Sequence, residues 1–240
     1  MTISIIIPTF NEEASLSRLL PLLYKRATFP TTLEIIIADA SPDDKTRLAA
    51  KEVLTKLEVK NFKVIEVAKG RGKQMHEASK IATGDILYFL HADSYPPRRY
   101  DYFIKQAVKN GHEAGCFRMR FRSNHWWLVL IGWFTRFSWK VSRGGDQSQF
   151  ITRVLYNNVG GYNTEIPFFE DYDLIHKLYA LEKYHVIPEM LSTSARRYRA
   201  VGVYKLQWFF LTIYWKKYRG ASIDELYVYY KKWCDLNAAR

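Results

Sequence analysis

Acidic and polar side chains recur in this chain where short apolar runs end. Asn11-Glu12 follows Ile3-Ser4-Ile5-Ile6-Ile7-Pro8, Asp39 and Ser41 follow the run at 33–38, and Asp93 follows Tyr88-Phe89-Leu90. Carboxylates so placed can bond a ribose or base, or hold a divalent metal against a diphosphate, although Asp39 alone reads equally well as a turn residue. Gly70-Arg71-Gly72-Lys73 opens a helical stretch, and free backbone N–H groups beside cationic side chains suit phosphate. That run lacks the later glycine of a dinucleotide fingerprint, and Val67 stands where a Walker A loop needs its first glycine, so a plain glycine turn is the other reading. Phe168-Phe169-Glu170-Asp171-Tyr172-Asp173 gathers three carboxylates at a helix start. There Asp171 can take a proton from an attacking hydroxyl, or simply cap the helix.

These residues share one place only if the elements before them are parallel strands. The β-branched run ending at Pro8 is too short for a buried helix and reads as a central strand. Asn11 then caps a helix carrying Leu16, Leu19, Leu20, Leu23 and Tyr24 at helical spacing, with Pro21 on the opposite face. A second strand covers 33–39, and Ser41-Pro42-Asp43-Asp44 supplies a cap, a proline at the first helical position and first-turn acids. A third strand (62–67), a helix (71–82) and a fourth strand (86–90) continue the alternation, which predicts an α/β fold with a mostly parallel sheet covered by helices on both faces. Ligands of such sheets sit beyond the carboxyl ends of the strands. The later half predicts a strand at 116–121, an aromatic helix at 126–140, a helix at 171–181, and amphipathic C-terminal helices at 203–219 and 223–235. Gly220 divides the last two, and Ser222-Ile223-Asp224-Glu225 reads as a capping box.

Taken in order, these blocks resemble an inverting glycosyltransferase of family 2 with a GT-A fold. The match runs through Ile5-Ile6-Ile7-Pro8-Thr9-Phe10-Asn11-Glu12-Glu13, Ala38-Asp39-Ala40-Ser41-Pro42-Asp43-Asp44, Ala82-Thr83-Gly84-Asp85 and Phe89-Leu90-His91-Ala92-Asp93. It continues through Gly144-Gly145-Asp146-Gln147, Val159-Gly160-Gly161-Tyr162, Glu170-Asp171 and Ser194-Ala195-Arg196-Arg197-Tyr198. The resemblance implies a catalytic domain over 1–202, with 203–240 a helical extension packed on it, on a membrane or on a partner. It implies that Pro8, Thr9, Asn11, Glu12 and Asp39 contact the uridine or guanosine part of an activated sugar, with Arg71 and Lys73 near that pocket. Asp93 would hold Mg²⁺ or Mn²⁺ as the last acid of the family's D-x-D motif, and His91 replaces the first. A branch associated with radical-SAM and selenium-domain proteins is similar in having His-Ala-Asp here. Asp171 would be the general base, Glu170 would orient it or meet the acceptor, and Asp146 and Gln147 would line the donor-sugar or acceptor side. Arg196, Arg197 and Arg199 resemble the C-terminal basic motif that binds phosphate, with Tyr198 where tryptophan is common.

Composition narrows the alternatives. The 240 residues include 36 Lys and Arg against 24 Asp and Glu, a net +12 that suits an anionic partner or merely solubility. A hydrophobic fraction of 48% excludes disorder as the main state, and the widely separated Cys116 and Cys234 with scattered histidines give no zinc pattern, pointing to a reducing, cytoplasmic setting. No signal peptide is expected from the N-terminal run. The apolar stretch 126–139 is about 21 Å long as a helix, short of a bilayer core of about 30 Å. Its wheel puts Trp126, Leu130, Trp133, Phe134 and Phe137 on one face, with Arg136 and Lys140 outside it. In the next-to-last helix Lys205, Thr212, Lys216 and Arg219 oppose Val203, Leu206, Phe210 and Tyr214. Peripheral contact with the inner membrane face, a homodimer, or packing in the core would each use such faces. The rival activities are a nucleotidyltransferase making a nucleotide sugar and a non-catalytic basic module for lipid or nucleic acid. No nucleic-acid motif is present, so nucleic acid is not an expected partner. The acceptor reads as lipid-linked or a small molecule.

Overall fold

A computed structural model describes residues 1–165 and 170–238. The first half alternates as the sequence predicts: β1 (Ile3–Thr9), α1 (Glu13–Arg26), β2 (Leu33–Asp39), α2 (Lys45–Lys56), β3 (Phe62–Glu66), α3 (Arg71–Ile81) and β4 (Ile86–Phe89). The second half adds β5 (Ser94–Tyr95), α4 (Tyr100–Lys109), β6 (Ala114–Phe121), α5 (Trp126–Phe134), β7 (Gln149–Thr152), α6 (Arg153–Asn158), α7 (Glu170–Ala180) and β8 (Tyr184–Thr193). Helices α8 (Arg196–Val201), α9 (Val203–Tyr218) and α10 (Ile223–Ala238) complete the described chain.

Among the described residues the strands form one sheet in the order β3-β2-β1-β4-β7-β6-β8-β5. The pairs β1–β2, β2–β3, β1–β4 and β6–β8 are parallel, and β7 joins the two parallel halves by antiparallel pairing with β4 and β6. Because β1, β2 and β4 run the same way, Thr9, Asp39 and the chain after Phe89 emerge along one edge. Side-chain alternation fills both faces: Ile3, Ile5, Ile7, Ile35 and Ile37 pack on one side with Leu16, Leu19, Leu20 and Leu23, while Ile6, Ile36 and Ala38 pack on the other with Met75 and Ala78.

Four local expectations change. Asn11 is not a cap: it takes a left-handed conformation (φ 54°), its N–H donates to Ser41 Oγ at 2.8 Å, and α1 begins two residues later. Pro42 lies in the loop before α2, because Ser41 spends its hydroxyl on Asp39 (2.7 Å) and the helix starts only at Lys45. The aromatic helix stops at Phe134, six residues early, since the Arg143 guanidinium draws off the Thr135 carbonyl (2.8 Å) and also binds that of Phe137. On α9 the buried face is Leu206, Phe209 and Ile213, and a second apolar stripe that the wheel missed faces outward. The capping box forms as read, with Ser222 N–H donating to Glu225 Oε2 (2.9 Å) and Glu225 N–H to Ser222 Oγ (3.2 Å). Phe168 and Phe169 lie outside the described residues.

Candidate active site

The edge where β1 and β4 end opens into a cleft of ≈ 290 Å³. Pro8, Thr9 and Glu12 form one wall, and His91, Asp93 and Asp146 the floor. Arg71 flanks it from the start of α3, while Arg196 and Arg197 come from α8 and Leu206 and Phe210 from α9. Nine of the residues singled out from sequence therefore meet in one hollow, although they lie up to 189 positions apart.

Arg71 links the cleft to the acids of α7. Its Nε donates to Glu170 Oε1 at 2.7 Å, and a terminal nitrogen lies 3.8 Å from Asp171 Oδ2. The approach of α3 to α7 depends on Gly72, where a Cβ would sit 2.9 Å from that of Glu170. Burial, then the neighbouring Glu170, pushes the Asp171 carboxyl up to about 6, with Arg71 pulling the other way. Desolvation works against the charge on Arg71, but Glu170 and Asp171 outweigh it and hold the guanidinium protonated. The Tyr162 hydroxyl reaches Asp171 Oδ1 at 3.5 Å. A buried carboxyl with a proton affinity near neutrality, oriented by a hydroxyl and a guanidinium, is equipped to accept a proton.

The cleft floor is a second electrostatic unit. His91 Nδ1 lies 3.6 Å from Asp146 Oδ1. Burial disfavours charging of His91, yet Asp146 outweighs it and holds the imidazole above its ordinary value. Desolvation likewise works to raise Asp146, but His91 and Arg71 keep it below the usual carboxylate range. Burial pushes Asp93 up, against the pull of His91 and with that of Asp146. An acid raised this way gains from a cation, and an imidazole with two carboxylates is a donor set for Mn²⁺ or Mg²⁺. Among the described residues no three His, Cys, Asp or Glu side chains converge closely enough to hold a metal unaided. Mg²⁺ commonly takes one or two carboxylates and completes its shell from water and substrate phosphates, so the residues fit a shared ion and not a closed cage.

The remaining expected residues lie apart. Asp39 is fully buried and spent on three donors: Thr9 Oγ1 (2.8 Å), Ser41 Oγ (2.7 Å) and Arg47 (3.0 Å). It braces the strand ends behind the cleft. Asn11 is outside the cleft lining, and Lys73 faces a separate groove with Glu66, Val67 and Glu77. Gln147 is buried, accepting from Arg143 (2.7 Å) and from the Cys116 thiol (3.1 Å), so it shapes the loop that carries Asp146. Arg196 pairs with Glu12 at 2.7 Å. Sequence reasoning missed Gln74, whose amide donates to the Thr9 and Ala38 carbonyls (2.8 Å each); its place one turn after Arg71 is the signal that was there to use. Tyr162, read only as part of a family block, and Leu206 and Phe210, read only as a helix face, had no expected place at the site, to which tertiary packing brings them.

A family model described as Glycosyl transferase family 2 matches residues 4–163, two-thirds of the chain and most of the cleft. The chain belongs to glycosyl transferase family 2. Relatives include the poly(ribitol-phosphate) beta-N-acetylglucosaminyltransferase TarS of Staphylococcus aureus, 30% identical over 110 residues (46% of this chain, 18% of TarS). A dolichol-phosphate mannosyltransferase of Pyrococcus furiosus is 32% identical over 114 residues, 47% of this chain and 32% of that protein. The chain thus spans a fifth to a third of the length of these relatives. Among solved structures, a mannosyltransferase from Pyrobaculum calidifontis in complex with GDP-Man and Mn²⁺ superposes with a TM-score of 0.64 at 19% identity, over 88% of this chain and 64% of that one. S. aureus TarS superposes at 0.63 and 18% identity, over 81% of this chain and 37% of the other. The fold is the GT-A fold of family 2.

Proposed function

We propose that this family 2 chain moves a sugar from a nucleotide-diphosphate sugar, UDP- or GDP-linked, to an acceptor with inversion at the anomeric carbon. The observation that carries the reading is Arg71, which contacts the Glu170–Asp171 pair on one side and lines the cleft with Asp93 and Asp146 on the other. A proton acceptor and a phosphate-binding cleft are thereby within one side chain of each other. The nucleoside lies against Pro8, Thr9 and Glu12, and Arg71, Arg196 and Arg197 supply positive charge for the diphosphate. Asp171 removes the proton of an acceptor hydroxyl as its oxygen bonds the anomeric carbon and the bond from that carbon to the diphosphate oxygen breaks. Glu170 fixes Arg71, and Tyr162 orients Asp171. Asp93, His91 and Asp146 would hold a divalent ion, which would supply charge neutralisation for the diphosphate. The His-Ala-Asp run at residues 91–93 supports reading the chain as one of the branch that carries it in place of the D-x-D motif. Relatives named for poly(ribitol-phosphate) and for dolichol phosphate support a lipid-linked or phosphate-bearing acceptor, and a lipid-linked acceptor would put the work at the inner membrane face.

A calorimetric screen of UDP- and GDP-sugars with Mg²⁺ and Mn²⁺ tests this. Asp93→Ala is expected to abolish the metal-dependent part of binding, and Asp171→Asn to leave binding intact while removing turnover to a hydroxyl acceptor. No binding of any nucleotide sugar by the wild-type chain overturns the reading.

A further inference from the structure

The outer face of α9 carries Tyr204, Trp208, Leu211, Trp215 and Tyr218, each more than half exposed and spaced three or four residues apart. The opposite face, Leu206, Phe209 and Ile213, is buried. The helix is therefore apolar on both sides, which a helix lying on a domain surface in water is not. The stripe is continuous with α5: the Trp126 indole N–H donates to the Tyr204 hydroxyl at 3.1 Å, and Trp126, Val129, Trp133 and Phe134 are exposed beside it. Trp133, Phe137 and Trp139 extend it through ring contacts of 4.6 to 5.2 Å.

Charge identifies what covers this surface. The segments 116–145 and 190–223, which contain α5 and α9, hold 13 Lys and Arg and not one Asp or Glu. The rest of the chain carries 23 Lys and Arg against 24 acids, so these two segments carry +13 and the remainder −1. Arg143 is buried and Arg196 is paired with Glu12, but Arg122, Arg136, Lys140, Arg199 and Arg219 are exposed. Arg136 sits over the Trp133 ring at 4.3 Å and Arg219 over Trp215 at 5.3 Å, which puts cations at the same level as the aromatic rings. A second copy on this face would bring two such cationic surfaces together. The headgroup region of an anionic bilayer neutralises the cations and takes Trp and Tyr side chains by preference.

We propose that α5 and α9 form a docking face that lies in the interface of an anionic lipid bilayer. Among the described residues no helix is long and apolar enough to cross a membrane, so the contact is in-plane. Leu206 and Phe210 of α9 wall the cleft, so docking sets the mouth of the site beside the bilayer. Delivery of a lipid-linked acceptor along α9 rests on the transferase reading; the docking itself does not.

Flotation of the full chain with vesicles of phosphatidylglycerol and phosphatidylcholine in equal parts, and with phosphatidylcholine alone, tests the proposal. Wild type is expected to float with the anionic vesicles and to be released by salt. Trp208→Ser with Trp215→Ser weakens partitioning by about tenfold per tryptophan. Arg136→Glu with Arg219→Glu abolishes the preference for phosphatidylglycerol. In both double variants the melting temperature and nucleotide-sugar binding stay as in wild type. Equal recovery with anionic and neutral vesicles overturns the proposal. So does a wild-type dimer that Trp208→Ser with Trp215→Ser converts to monomer. Vesicle binding without any nucleotide-sugar binding leaves docking standing and removes the transferase reading instead.

Discussion

Asp171 should reveal itself twice, in rate and in stability, and with opposite signs. Its carboxyl is raised from 3.8 to about 6, first by burial at 9% exposure and then by Glu170. That displacement corresponds to about 3 kcal/mol of disfavoured ionisation. For a hydroxyl acceptor, kcat should fall about tenfold per pH unit below about 6 and level off above 7, where roughly nine in ten molecules are ionised. Asp171→Asn should cost about 10²–10⁴-fold in kcat. An acceptor that already ends in an ionised phosphate needs no base, and with it the pH limb and most of that loss should vanish. In stability, the folded state binds the Asp171 proton more tightly than the unfolded chain does. This residue therefore removes stability as pH rises from about 4 to 6, and at pH 8 it costs up to about 3 kcal/mol. Asp171→Asn should then melt higher than wild type at pH 8, by several degrees, with the gap closing toward pH 4. Melting curves and pH–rate profiles on the same two proteins supply the check. A variant that melts lower at pH 8, or a flat profile with a hydroxyl acceptor, refutes the assignment.

Arg143→Met strips partners from the Thr135 and Phe137 carbonyls and from Gln147, and should cost about 2–4 kcal/mol, seen as a melting temperature lower by about 10 °C. Gly72→Ala forces α3 and α7 apart at Glu170; a loss of about 1–3 kcal/mol is expected, with kcat reduced more than nucleotide-sugar affinity, measured by melting and steady-state kinetics. His91→Asp replaces an imidazole by a harder oxygen ligand and should shift metal preference toward Mg²⁺ over Mn²⁺ in calorimetric titrations.

The first half of the fold was legible because its strands are short apolar runs, β-branched in β1 and β2, that end at polar or turn residues, and because α1 carries leucines at helical spacing. The second half was less so for physical reasons. Strand β8 contains Pro188, and its pairing with β6 skips Pro188 and Glu189, so neither an unbroken donor ladder nor strict alternation marks it in sequence. Strand β7 has four residues and is held by neighbours on both sides, which no local pattern records. The end of α5 is set by a guanidinium nine residues downstream. At the site, residues at strand ends were readable from position alone, whereas Asp39 required knowledge of Arg47, which takes up the carboxylate oxygen that the Thr9 and Ser41 hydroxyls leave. The outer stripe of α9 escaped a wheel that assigned the helix a single apolar side.

Helix α9 also decides where this chain can be shortened. Cutting after Gly202 would take Leu206, Phe209 and Ile213 out of the core cluster they share with Phe121 and Tyr198, and would strip one flank from the cleft. A more soluble version is better sought by replacing Trp208 and Trp215 in place than by trimming the tail, since the helix that exposes them also walls the cleft through Leu206 and Phe210.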